Sequence, residues 1–378
     1  MSPAEVGRAV AEVDLSAIAD NIATLRRAAP AAAFMAVVKA DGYGHGMVPV
    51  ARAARAAGAE WLGVALPAEA VALRASGDTG PLLAWLYSPG DDLEACVAVG
   101  VDLSAAAPWA LEAIAQAGRN TATVPRVHLK VDTGLGRNGS PIAAWPELLR
   151  AAAKAQDRGV VDVVGVWSHL ACSDEPDSDV TASQVGVFED ALDMMGHVGL
   201  RPRWRHLANS AATMIWPNTH YDLVRCGIAV YGLAPGPAMG NSASLGLRPA
   251  MRVSAGLALV KDVPAGQGVS YGLRYTTTDA TRLALVPTGY ADGVPRNGSG
   301  RLPVRLAGQD LTAAGTIAMD QFVLDVGDLD VGVGQEVVLF GDGEDGPTAQ
   351  DWAEACGTIN YEIITRLGTR IPRRYREE

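Results

Sequence analysis

Residues 34–58 open with FMAVVK (34–39), an apolar, partly β-branched run, turn through ADGYGHG (40–46) and continue into an alanine-rich segment with apolar residues at helical spacing. That is a strand–loop–helix unit. Similar strand runs recur at 61–65 (WLGVA), 82–86 (LLAWL), 101–103 (VDL), 126–132 (RVHLKVD), 161–168 (VDVVGVWS), 204–207 (WRHL) and 222–226 (DLVRC). Helical spacing also marks 67–76, 107–118, 141–157 and 181–199. A helix ahead of the first run is signalled by Asp14 or Ser16 as its cap and by Ile18, Ile22 and Leu25 on one face. Eight strand runs, most followed by a helix, predict an α/β protein with a (β/α)8 TIM-type barrel. The alternative, an open doubly wound sheet, needs fewer strands and usually a glycine fingerprint after the first. Residues 234–249 (APGPAMGNSASLGLRP) read as a linker, and 250–340 as short strands between Gly, Pro and Asp turns, with a helix near 349–356. The expected domains are a cofactor-binding barrel at 12–240 and a mainly-β C-terminal domain at 241–378, with residues 1–11 packing against the latter.

The chain has 378 residues, 31 basic against 42 acidic side chains and a net charge of −11. With no basic run, that balance argues against nucleic acid or an anionic membrane surface as the main partner. MSPAEVGRAVAEVDLS lacks an apolar stretch behind a basic start, so no secretory leader is expected, and no apolar stretch has the length of a membrane helix. Cys96, Cys172, Cys226 and Cys356 lie far apart without a CxxC pair, which suits a reducing cytoplasm and no structural zinc. HExxH does not occur, so no metal is expected.

Barrels of this kind gather chemistry at the C-terminal ends of their strands. Lys39 ends the first run, and two readings stand: a side chain that snorkels to solvent, or a buried amine kept for chemistry. Residues 128–139 (HLKVDTGLGRNG) end the fifth run and carry Lys130 and Arg137, a fork of donors suited to an anion. His169 ends the sixth. His206, Asn209 and Ser210 follow the seventh, where Ser210 would open a helix. Arg225 ends the eighth, before Cys226-Gly227-Ile228. Each alone also reads as an ordinary solvated or structural residue. Together they set a lysine, two arginines and a serine around one rim, as a phosphorylated cofactor bound through a lysine imine would require.

The chain resembles the alanine racemases. The stretches are AVVKADGYGHG (36–46), KVDTGLGRNG (130–139), SHLACSD (168–174), HLANSAA (206–212), VRCGIAVYG (224–232), SYG (270–272), TGYADGVPR (288–296), MDQ (319–321) and INYEI (359–363), in order along nearly the whole chain. The resemblance implies a cytoplasmic enzyme that interconverts L- and D-alanine on pyridoxal 5'-phosphate and supplies D-alanine for peptidoglycan. It implies Lys39 as the imine-forming lysine and one catalytic base. Tyr271 would be the opposite base, reaching in from the partner in a head-to-tail homodimer. Tyr43, Asn209, Ser210, Gly227, Ile228 and Tyr361 would bind the cofactor, chiefly its phosphate. Arg225 would face the pyridine nitrogen with His169 behind it, and Arg137 the phenolate and the substrate carboxylate. Tyr290 and Met319 would line the substrate region. Lys130 is the position that members often carbamylate. The two-base scheme is physically coherent, because racemisation needs one group on each face of Cα. Free Lys and Tyr titrate near ~10.4 and ~10, so both need neighbours that lower them. A serine or broad-specificity racemase and a non-enzymatic pyridoxal-phosphate carrier are the rival readings. A decarboxylase of similar architecture is disfavoured, since it would place an acid where Arg225 stands. Two departures stand out: Thr316-Ile317-Ala318-Met319-Asp320-Gln321 replaces the common Arg-x-Cys-Met-Asp-Gln, and Leu273-Arg274 follows SYG.

Overall fold

A computed structural model describes residues 7–377. The chain divides into two compact units. One comprises Ile18–Gly42 and Met47–Leu247; the other comprises the described residues up to Ala17, Tyr43–Gly46 and the chain from Arg248 onward. The boundary therefore falls at Leu247/Arg248 rather than 240/241 and passes through the glycine-rich turn after Lys39. Of the N-terminal segment expected to pack with the β domain, residues 1–6 lie outside the described residues.

The first unit is the parallel barrel. Its strands run in the order Leu223–Cys226, Ala33–Val37, Trp61–Val64, Leu82–Ala84, Asp102–Ala105, Arg126–Asp132, Asp162–Trp167 and Trp204–His206. The first and last of these meet through Asp222 N–H to Arg205 O and Arg225 N–H to Ala208 O, both 3.0 Å, which nearly closes the ring. All eight apolar runs read from sequence became strands, displaced at their ends by a residue or two. The leading helix, Leu15–Ala28, is capped by Asp14, whose Oδ1 accepts from Ala17 N at 2.9 Å, and Ile18, Ile22 and Leu25 are fully buried as their spacing predicts. A short helix at Leu93–Ala98, too brief to show periodicity, was not expected. The linker holds two single-turn 3-10 helices, Pro237–Met239 and Ala243–Leu245.

The second unit is built on a sheet ordered Leu259–Val263, Thr281–Val286, Phe322–Asp325, Gln309–Ala314, Pro303–Leu306, Glu336–Phe340, Met251–Gly256, Ala9–Asp14 and Arg373–Arg376. Ala9–Asp14 pairs antiparallel with Met251–Gly256 and parallel with Arg373–Arg376. Residues 12–14 thus belong to the β unit, not to the barrel. The helix expected near 349–356 is Ala349–Cys356; Thr348 caps it by accepting from Asp351 N at 3.1 Å, and Asp351 reciprocates to Thr348 N at 2.7 Å. A second helix, Asn360–Thr365, follows. Tyr43–Gly46 joins this unit because Gly44 (φ 79°) lies so close to Ile364 that a Cβ would sit 2.2 Å from its carbonyl oxygen, and Arg373 Nε donates to Gly44 O at 2.9 Å. Among the described residues no helix is long and apolar enough to cross a membrane.

The barrel's helical layer closes on Trp145, fully buried, whose indole N–H donates to Ala191 O at 3.0 Å. Trp145→Ala is expected to lower the unfolding free energy by about 3–5 kcal/mol in denaturant titrations, through lost burial and a residual cavity.

Candidate active site

At the end of the strand Ala33–Val37, Val38 N donates to Gly63 O at 2.9 Å and keeps Lys39 in line with the sheet. The chain then takes a left-handed turn. Ala40, Asp41 and Tyr43 have φ of 53°, 52° and 51°, with Gly42 at 61°. For residues with a Cβ this costs roughly 1–2 kcal/mol each. Gly42 N closes the turn on Val38 O at 2.9 Å. The Glu69 carboxylate accepts from Ala40 N at 2.7 Å and from Ala65 N and Leu66 N at 3.0 Å each, while Asp41 Oδ1 accepts from Met47 N at 2.8 Å. These bonds offset the strain and aim Lys39. Burial, then the charge of Arg137, hold the Lys39 ammonium below its ordinary pKa, with Glu69 opposing.

Further round the rim, Trp167 is the centre of a cationic cluster. Lys130, its ladder partner across the strands Arg126–Asp132 and Asp162–Trp167, places Nζ 4.2 Å from the indole centroid, and Arg225 Cζ is 4.9 Å away. The indole N–H is held by Ser104 Oγ at 2.9 Å. Arg225 is buried. Its Nη2 donates to Ser168 O at 2.8 Å, Leu207 O at 3.1 Å and His169 Nδ1 at 3.3 Å, and its Nη1 to His206 Nδ1 at 3.3 Å. Burial brings its pKa down to about 9, so it stays a cation at neutral pH. Lys130 is lowered to about 7, through burial first and then Arg225 and Arg137. His169 lies well below its ordinary value for the same reasons, which makes it a neutral imidazole. Lys39, Lys130, Arg137, His169 and Arg225 thus share one field within the barrel unit.

Arg137 is exposed on a loop that Asp132 shapes by accepting from Gly134 N and Gly136 N, at 3.0 Å in the shortest contact of each. Beyond the seventh strand, Ser210 opens the six-residue helix Ser210–Ile215 as expected, and Asn209 caps it, its Oδ1 accepting from Ala212 N at 3.0 Å. Ser210 Oγ accepts from Gly227 N at 2.9 Å and Ala229 N at 3.4 Å, binding the two βα loops after the last strands together. Ile228 begins the 3-10 turn Ile228–Tyr231.

In the β unit, Tyr43 and Tyr361 face one another with ring centroids 6.4 Å apart. Tyr271 is 72% exposed on the turn Tyr271–Leu273, entered through Ser270 at φ 61°. Thr316 anchors that turn: its hydroxyl donates to Tyr271 O at 2.8 Å, and Ser270 Oγ donates to Thr316 O at 2.5 Å. The residue standing in place of the family's arginine is therefore a backbone clamp for Tyr271. Tyr290 and Met319 are both half-exposed and ride on adjoining loops joined by Tyr290 N to Ala318 O (3.1 Å) and Ala291 N to Met319 O (2.9 Å). Buried Asp292 fixes the first loop by accepting from Gly289 N at 2.9 Å and pairing with Arg8 at 2.6 Å and Arg370 at 3.3 Å. Glu69, Trp167 and Asp292 were not singled out from sequence, and Thr316 was noted only as a departure from the family pattern. An acid among the glycines of TGYADG was the one available signal.

Comparisons with known proteins agree along the whole chain. The pattern of the alanine racemase N-terminal domain matches residues 13–235, and that of the C-terminal domain residues 250–375. An alanine racemase of Frankia casuarinae is 56% identical over 369 residues, spanning 97% of this chain and 96% of that protein. The crystal structure of alanine racemase from Streptomyces lavendulae superposes with a TM-score of 0.97 at 52% identity, covering 98% of both chains, and that from Streptomyces coelicolor with 0.96 at 52% identity and the same coverage. On this match in sequence and fold, the chain belongs to the alanine racemase family of pyridoxal-phosphate-dependent isomerases.

Proposed function

We propose that, in the interconversion of L- and D-alanine that defines the family, Lys39 and Tyr271 move the Cα proton on opposite faces while Arg225 meets the pyridine nitrogen of pyridoxal 5'-phosphate. The setting of Arg225 carries this reading. It is a buried guanidinium on four acceptors and is protonated at neutral pH, so it donates a hydrogen bond without giving up its proton. An acid there would share a proton with the ring; Arg225 leaves the ring a weaker electron sink, which favours proton return over transamination or decarboxylation. When bound, the cofactor supplies the sink for the electron pair of the broken Cα–H bond. The residues present fit it: the cation surplus suits a phosphate and a phenolate, and Ser210 Oγ, already accepting two amides, has its hydroxyl hydrogen to donate. Ser210, Asn209, Gly227, Ile228, Tyr43 and Tyr361 hold the phosphate side, and Arg137 the phenolate and the substrate carboxylate, with His169 steadying Arg225. Tyr290 and Met319 line the substrate region. Lys39, its ammonium already destabilised, accepts the proton from D-alanine; Tyr271 accepts it from L-alanine, and each returns a proton on its own face.

Tyr271 and Leu273 are exposed on one turn, which supports a homodimer in which Tyr271 of one protomer completes the site of the other. The four free cysteines fit a cytoplasmic protein, and its bacterial relatives fit D-alanine supply to peptidoglycan. The lowered pKa of Lys130 supports its carbamylation: the neutral amine's lone pair forms an N–C bond to CO2, one C=O electron pair moves to oxygen, and the nitrogen releases a proton. The resulting anion sits among Lys39, Arg137 and Arg225 and orients Arg137.

Lys39→Ala is expected to abolish the visible absorbance of the bound cofactor and racemisation in both directions; a retained band refutes the covalent role. Tyr271→Ala should slow solvent-deuterium exchange at Cα of L-alanine by roughly 10²–10⁴, while exchange from D-alanine, handled by Lys39, persists. Equal losses from both enantiomers would contradict the division of faces. Activity across a panel of L- and D-amino acids separates an alanine enzyme from a broad-specificity one. For Lys130, the native mass should exceed the CO2-stripped mass by one CO2. In CO2-free apoprotein the folded amine titrates at about 7, below the unfolded value, so between these the unfolded chain binds more protons. Stability relative to Lys130→Met should then rise with pH from about 7, by up to ~1.4 kcal/mol per pH unit, and flatten above ~10.4.

A further inference from the structure

Arg225 is the upper end of a hydrogen-bonded file that continues down the barrel interior through three wholly buried residues, His206, His128 and Asp102. Arg225 Nη1 lies 3.3 Å from His206 Nδ1, His206 Nε2 lies 2.9 Å from His128 Nδ1, and His128 Nε2 lies 3.2 Å from Asp102 Oδ2. Asp102 Oδ1 accepts from Arg126 Nε at 2.7 Å, and the Arg126 side chain is 45% exposed at the start of its strand. One proton arrangement satisfies every contact. A guanidinium has no acceptor, so His206 Nδ1 presents a lone pair and its hydrogen is on Nε2. That hydrogen points at His128 Nδ1, which is then the acceptor, leaving the His128 hydrogen on Nε2, aimed at the carboxylate. A doubly protonated His128 would set two N–H groups face to face or force His206 to turn a hydrogen on Arg225. Both rings are therefore neutral Nε2–H tautomers, and the file donates in one direction from guanidinium to carboxylate.

The surroundings are shaped around this file. Gly165 faces His128, and a Cβ there would fall 2.0 Å from its Nδ1. The ladder between Arg126–Asp132 and Asp162–Trp167 shifts register between Val127 and His128, beside that glycine. Trp167 stacks on His206 with centroids 5.6 Å apart at 5°, and Trp61 meets the edge of His128 at 5.5 Å. Three polar side chains in a barrel core are costly unless each is satisfied, and here each is.

We propose that Asp102, acting through His128 and His206, is a positioning residue for Arg225: its carboxylate selects the tautomer of both imidazoles, so that a lone pair and not an N–H meets the guanidinium. This rests on the role given to Arg225 above. Without the carboxylate, the file can invert and set His206 Nδ1–H against Arg225 Nη1–H, turning the guanidinium away from its place.

The test begins with histidine nitrogen NMR on the apoprotein. In the unaltered chain His206 and His128 should each give a single Nε2–H tautomer; an Nδ1–H or doubly protonated ring at either site overturns the proposal with no variant needed. Asp102→Leu, similar in volume and without an acceptor, should lose the single tautomer at His206, whereas Arg126→Gln, which leaves the carboxylate on His128, should keep it. A His206 tautomer unchanged by Asp102→Leu overturns the proposal. With cofactor loaded, Asp102→Leu should cut kcat/KM about tenfold and raise the pyruvate formed per racemisation event, a ratio that a merely structural loss leaves fixed. If the tautomer is lost but that ratio moves in neither Asp102→Leu nor Arg225→Ala, the role assigned to Arg225 falls and the tautomer file stands.

Discussion

An excess of partly desolvated positive charge at one end of the barrel governs the chemistry of this chain. Lys39, Lys130, Arg137 and Arg225 act on one another, and the two carboxylates that oppose them are engaged by backbone amides, Glu69 by Ala40, Ala65 and Leu66, Asp132 by Gly134 and Gly136. Such a field costs free energy unless anions neutralise it. It also lowers the pKa of both lysines and keeps His169 and His206 uncharged. An anionic cofactor held there, as proposed above, would relieve that tension.

Rigidity comes from the sheet beneath. Lys130 and Trp167 face one another across one rung of the ladder, and Trp167 in turn contacts Arg225 and stacks on His206. Three strands thus set the spacing of two cations through one indole, with loop contacts refining what the ladder already fixes. In the β unit the logic differs. Tyr271 stands on an exposed turn, and backbone bonds to Thr316, not packing, define its stance.

Much of this was legible in the residues. Eight apolar runs gave eight parallel strands, because in a barrel closed by helices each strand is buried on both faces and reads as a continuous apolar stretch. The rim residues followed from their positions at strand ends, and the family motifs named the rest. What stayed hidden depends on distant partners. Residues 1–11 were expected beside the β domain, but that Ala9–Asp14 is a strand between Met251–Gly256 and Arg373–Arg376 was not read, since both partners lie far along the chain. The left-handed backbone at Ala40 has no local signal, as alanine disfavours it. Asp102 passed as an ordinary strand residue, because its pairing with His128 and Arg126 emerges only once the strands lie side by side.

The placement of Ala9–Asp14 also bears on how the polypeptide matures. Its two neighbours in the sheet are made only after the barrel has been synthesised, and one is the last strand of the chain. The barrel can assemble vectorially from contacts between successive strands, whereas the β unit must wait, its first strand unpaired, until the opposite terminus emerges. During that interval the strand is an open edge, with Val10 and Val13 uncovered and Glu12 as its built-in deterrent to joining a foreign sheet. Among the described residues, the pairing of Ala9–Asp14 with Arg373–Arg376 spans the widest sequence separation of any two paired strands.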